Sequence, residues 1–459
     1  MDHLRTYRWL SLSALLLGAA ACSTTPPPPP QAEYGEPAVV EGPLPYLGVH
    51  GLGIDPRGRL LAGSVVGQSL SLIDRESGAV RPFVGPPAGM ADDVAFGPDG
   101  EVAWTAYLVG ELRIRNAAGE IRTVASGLPG LNSLAYTEDG RLFATQVFMG
   151  DALYEIDRSG EQPPRKIIEG MGGLNGFEFG PDGHLYGPLW FKGEVVRVNV
   201  ESGEMDTVAD GFRIPAAVNF DGQGRLYVVD SATGELLRLQ PGTAEKVRVA
   251  RLKPSLDNLA IDKQAGLLYV SNMADNSIQE VDLADGRVRD LVRTRLAAPS
   301  GLAMVGDQLH IADTFAYRVM DTGSGDIREV GRMWASHLEY PLNAWADEHV
   351  VVLTSWATGT VQVYDRASGE MTHGFHDFQA PHDAVQLADG SLLVAELATG
   401  RLLRVSGEQG EQREAVVVAL AGPAGMAFNA DRSTLFVTTA GGSVWAVNPA
   451  DWSKRRVRD

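Results

Sequence analysis

Ten stretches of this chain repeat one pattern, an apolar run followed by a tight turn and a second apolar run. They read HGLGIDPRGRLLAG, DDVAFGPDGEVAWT, NSLAYTEDGRLFAT, NGFEFGPDGHLYGP, AAVNFDGQGRLYVV, DNLAIDKQAGLLYVS, SGLAMVGDQLHIAD, LNAWADEHVVVLTS, HDAVQLADGSLLVA and AGMAFNADRSTLFVT. Their starts fall near residues 50, 92, 132, 175, 216, 257, 300, 342, 382 and 424, a spacing of 40 to 43 residues. That is the length of a four-stranded propeller blade. Each unit holds four Val-, Leu-, Ile- and Tyr-rich runs of period two, such as LYVVD and EVVRVNV, broken by three turns. The first turn is Asp-Gly-like, and Gly tolerates the positive φ while Asp bonds its own backbone.

The fold expected is therefore all-β, a β-propeller of ten four-stranded blades. Propellers typically have four to eight blades. The period nevertheless runs through the middle of the chain without a linker, which favours one ten-bladed ring over two fused five-bladed rings. The largest irregularity is GRMWASHLEYP, ahead of the eighth unit. PAVVEG, residues 37–42, resembles an outer strand and is a candidate for zipping a ring shut.

With 39 basic and 58 acidic residues the net charge is −19. A uniformly acidic surface excludes a nucleic-acid partner, because phosphates need a positive field. Arg5 and Arg8 precede the apolar run WLSLSALLLGAAAC, which ends at Cys22, the only cysteine. The run is too short for an ordinary membrane span and reads as a targeting segment. GAAAC resembles a bacterial lipobox, although Ala19 stands where leucine is usual. The resemblance implies cleavage before Cys22 and lipidation of its thiol, with an ordinary secretory signal as the alternative. The division expected is a signal peptide over 1–21, a Pro-rich tether over 22–47 and the propeller over 48–459. Ser23 resembles the residue that sorts lipoproteins to the outer membrane. The implied place is the bacterial cell envelope, facing periplasm or exterior, with membrane contact only through the lipid anchor.

At LNGFEFGPDGHLYG, LNSLAYTEDGRLFAT and LHIADTFAYRVM the chain resembles the NHL-repeat and gluconolactonase (regucalcin, senescence-marker-protein) superfamily, over nearly all of residues 48–450. Those lactonases are six-bladed and hold one divalent metal on the channel axis through carboxylate and Asn side chains at the heads of innermost strands. In this chain the strand heads are His50, Asp92, Asn132, Asn175, Ala216, Asp257, Ser300, Leu342, His382 and Ala424. By the resemblance, Asp92, Asn132 and Asn175 would be the metal ligands, and their oxygens suit a hard cation such as Ca²⁺. His50 or His382 would serve as general base. A ten-bladed channel is wider than the family's, which strains a shared ion. Strand-head polar groups also commonly cap backbone groups.

The loops between second and third strands open on the same face as the strand heads, and they are aromatic. The loops hold Tyr107, Phe148, Trp190, Phe191, Phe315, Tyr317 and Trp356, and of these Tyr107, Phe148, Trp190, Phe191 and Trp356, with Lys192, form the candidate substrate-binding surface. Wedging between blades is the competing role for these rings. His373 and His376 alternate faces of an outer strand, so their cluster with His382 does not read as a zinc site. There is no Gly-x-Ser-x-Gly elbow, phosphate loop or His-Glu-x-x-His. The function expected is hydrolysis of lactone or ester bonds in a small molecule, assisted by a divalent cation. The alternative is a non-catalytic propeller that binds a ligand or protein through its aromatic face.

Overall fold

The computed structural model of the chain describes residues 46–240, 243 and 245–458. The proposed signal peptide, Cys22, PAVVEG and most of the tether lie outside them. The chain forms ten four-stranded antiparallel sheets, each in simple sequence order. The innermost strands are Val49–Ile54, Ala91–Phe96, Leu131–Tyr136, Glu178–Phe179, Pro215–Phe220, Leu256–Asp262, Gly301–Val305, Asn343–Ala346, Pro381–Gln386 and Pro423–Phe428. They fall on the repeats. Among the described residues the only helical turns are two short 3₁₀ segments, Pro98–Gly100 and Tyr107–Val109.

The turns follow from their residues. At the first turn of the first blade, the Asp55 carboxylate accepts from the backbone N–H groups of Arg57 and Arg59, and the Arg59 guanidinium closes on it at 2.7 Å. Asp221 and Arg225 repeat the device in the fifth blade. At the strand heads the inner strand slips register against its neighbour, between Val49 and Leu52, Ala91 and Val94, and Leu256 and Leu259. Such a bulge leaves an N–H without a ladder partner. A side-chain oxygen supplies one, from Asp93 to Val94, from Asn258 to Leu259 and from Asp383 to Ala384. The polar pairs Asp92-Asp93 and Asp257-Asn258 therefore divide the work, since their second members brace the bulge and their first members are left for the axis.

The seams between blades divide the ten into two groups. The first blade's innermost strand packs against that of the second blade and also against that of the sixth. One apolar cluster spans this seam, joining Tyr46, Val49, Leu60 and Ala62 to Tyr269, Ile278 and Val292. Arg75 fastens it from outside through Asp262 at 2.5 Å and the Tyr269 hydroxyl at 2.9 Å. Blades one to six are thus a closed ring. The seventh to tenth pack in sequence as an arc. A single ten-bladed ring would set the first blade on the tenth, and two five-bladed rings would set it on the fifth. The period expected from the sequence holds, but closure comes at six, because face complementarity and not repeat length selects the partner. Both the first and tenth blades already have four strands, so neither lacks an outer strand for PAVVEG to supply. The arc leaves apolar side chains uncovered at its ends, where Leu302 and Met304 of the seventh blade and Phe436 of the tenth are exposed.

The two groups are bolted together on the strand-head face of the ring. Arg332, 5% exposed, donates to Asp275 at 2.6 Å, to the Pro254 carbonyl at 3.0 Å and to Glu329. Arg318 donates to the Ala274 carbonyl and to the fully buried Asp313. Ser255 Oγ donates to the Met333 carbonyl.

Candidate functional site

Closure at six brings the strand heads of the first, second and sixth blades together on one axis. His50 Nδ1 lies 3.0 Å from Asp257 Oδ2 and 3.9 Å from Asp92 Oδ2. The three side chains are only 12% to 14% exposed. The other ring nitrogen of His50, Nε2, is buried and has no hydrogen-bond partner.

Burial sets the electrostatics. It would push the His50 imidazole down, but the Asp257 hydrogen bond and the charges of Asp257 and Asp92 outweigh it, so the net direction is up. Burial raises Asp92 to about 7, with the His50 charge opposing and Asp257 reinforcing. Burial likewise raises Asp93 to about 8, against the Val94 backbone hydrogen bond. Asp93 is structural, since it also accepts from Asn258 Nδ2 at 2.9 Å across the closing seam. The phenols of Tyr107 and Tyr340 are both held protonated by burial and, next, by the neighbouring Asp92 charge; Tyr340 is raised to about 12.

The amides occupy a different role. Asn175 Oδ1 accepts from the Gly176 N–H at 3.0 Å and from Ser133 Oγ at 3.0 Å. Asn132 Oδ1 also faces Ser133 Oγ, at 2.9 Å. Ser133 has one hydroxyl proton, so it donates to one of these two amide oxygens at a time. Among the described residues no three His, Cys, Asp or Glu side chains converge as a ligand set. Asp92 lies with His50 and Asp257, while Asn132 and Asn175 have Ser133 Oγ and, for Asn175, the Gly176 N–H as near neighbours.

His382 stands in the ninth blade, within the arc, with Nδ1 3.1 Å from the Ala424 carbonyl. Trp356 projects from an eighth-blade loop, half exposed. Both therefore belong to the arc, whereas His50 belongs to the ring. Trp190, Phe148 and Phe191 do form one cluster on the ring, edge-to-face at 5.4 and 5.6 Å, with Trp190 buried and Phe191 exposed. Lys192 lies along Gly172.

Three aromatic residues come to the site from outside the ring, of which the sequence places only Phe315 on this face. Phe315 packs edge-on against the His50 imidazole at 5.6 Å, and Tyr340 packs on Phe315 at 5.4 Å. Trp334 meets Trp190 at 5.1 Å. Trp334 and Tyr340 lie in GRMWASHLEYP, the one break in the repeat, and that break was their signal. Asp257 had the same signal as the other strand heads.

A scan against protein-family models and a search of curated proteins find no match to this chain. Among solved structures, virginiamycin B lyase from Staphylococcus aureus aligns with a TM-score of 0.43 and 16% identity, covering 58% of this chain and 92% of that one. The tricorn protease aligns with a TM-score of 0.43 and 13% identity, covering 90% of this chain and 45% of that one. A nidogen/laminin complex aligns with a TM-score of 0.30 and 15% identity, over 50% of this chain and 91% of that one.

Proposed function

We propose that the ring is a hydrolase for lactone or ester bonds, working by general acid–base chemistry at His50, Asp257 and Asp92. One observation carries the reading: an imidazole anchored on one carboxylate, with a second carboxylate raised to about 7, only 3.9 Å away. Catalytic acids and bases work best when poised near the operating pH. Asp257 fixes the Nδ1–H tautomer, so Nε2 is the basic atom. In its neutral form His50 takes a proton from water at Nε2 as the water oxygen bonds to the acyl carbon. Protonated Asp92 gives its proton to the alkoxide as the carbon–oxygen bond breaks. The Tyr107 and Tyr340 hydroxyls are the donors at hand for the oxyanion. The cell-envelope setting rests on the lipobox-like GAAAC, and loss of fatty-acid labelling in Cys22→Ser tests it.

A panel of aryl esters and lactones assayed with the wild type and His50→Gln tests the chemistry. The reading predicts turnover that falls about 10²–10⁴-fold in the variant. Equal rates in both would end it. The exposed Phe148 and Phe191 beside buried Trp190 favour a second reading, a surface that docks a ligand or protein without turnover.

A further inference from the structure

Neither the ring nor its repeats explain what covers the His50 site. The cover comes from the seventh blade. Phe315 is 2% exposed and sits among Met273, Ala274 and Met333. The ring is cut to receive it. Gly48 has φ +61, and a Cβ there would lie 2.4 Å from the Phe315 ring. Thr314, just before it, also has positive φ (50°), a conformation unusual for a β-branched residue, and its hydroxyl is held by the Ala298 carbonyl at 2.6 Å. Trp334 and Tyr340 likewise have positive φ, 68° and 44°. Three such residues at one mouth, held by the Arg332–Asp275 bolt, mark a built feature.

We propose that Phe315, Tyr340 and Trp334 are the roof of the axial site and its selectivity element, so that the seventh blade and the link after it decide which substrates reach His50. The roof is apolar and made of ring faces and edges, while the floor carries His50, Asp92 and Asp257. Phe315 is in direct ring contact with His50, so a substrate reaches the floor only by displacing it, and a flat, apolar acyl or ring portion next to the ester is the chemistry that would replace that contact. The inference rests on the acid–base reading for its chemistry, but the roof itself has a readout that needs no turnover.

That readout is carbethoxylation of His50 by diethyl pyrocarbonate, followed by peptide mapping, in the wild type, Phe315→Ala, Tyr340→Ala and the arc control Trp356→Ala. His50 should react slowly in the wild type and the control, and at least about tenfold faster in Phe315→Ala or Tyr340→Ala. The kcat/KM ratio of bulky to small esters should rise in the same two variants. Faster modification with no turnover in any protein would uphold the roof and remove the hydrolase reading. An unchanged His50 rate in both roof variants, with native circular dichroism, would overturn the roof. Should Phe315→Ala fail to fold, Tyr340→Ala alone carries the test.

Discussion

His50 Nδ1 stands 3.0 Å from Asp257 Oδ2, although 207 residues separate them. This contact exists because the sixth blade closes on the first, and it ties fold to chemistry. Removing the anchor should cost activity and shift its pH dependence. In Asp257→Asn the imidazole loses its nearer negative charge, while the amide oxygen can still accept from Nδ1–H. Its pKa should fall, moving the acid limb of kcat/KM to lower pH, while the maximum drops about 10²–10⁴-fold. Initial rates from pH 5 to 9 check both.

Asp92 should make the protein less stable in alkali. Its folded value of about 7 lies above the roughly 3.9 of an unfolded aspartate. The folded state thus binds the extra proton, and this contribution is fully present below pH 4 and lost as pH rises through 7. Asp92→Asn removes the titration. Thermal melts at pH 5 and pH 8 should show a smaller drop in Tm for the variant than for the wild type.

Arg332 should hold arc to ring. Burial would raise Asp275, but Arg332, followed by Lys253 and Arg318, holds it below the usual carboxylate range. Arg332→Ala leaves that buried charge short of its main partner, at a cost of about 3–5 kcal/mol. Urea unfolding should then show an early transition, with the arc releasing before the ring melts.

The two tryptophans of the aromatic face should part company. Trp190 is buried between Phe148 and Trp334, so Trp190→Ala should cost about 3–5 kcal/mol. Trp356 is half exposed, and Trp356→Ala should fall within about 0.5 kcal/mol of wild type. Chemical denaturation separates them.

These contrasts show what the sequence carries openly. Period and turn chemistry give every blade its strands, and alignment puts His50, Asp92 and Asp257 at equivalent heads. Closure is not visible that way, because one period runs through every seam. What selects the sixth blade is a match between distant faces, Tyr46 and Leu60 against Tyr269, and Arg75 against Asp262. Asn132 and Asn175 read as ligands only through the resemblance, and in the structure their oxygens lie beside Ser133 Oγ and, for Asn175, the Gly176 N–H. GRMWASHLEYP shows as a break in the repeat, but its role depends on Trp190 and Phe315, which the break itself does not indicate.

The most direct measurement is an NMR titration of the His50 imidazole in the wild type and in Asp257→Asn. Closure at six predicts a wild-type midpoint above that of an ordinary histidine, falling clearly when Asp257 is neutralised. An identical midpoint in both proteins would mean that the sixth blade does not meet the first at His50, and would contradict the account.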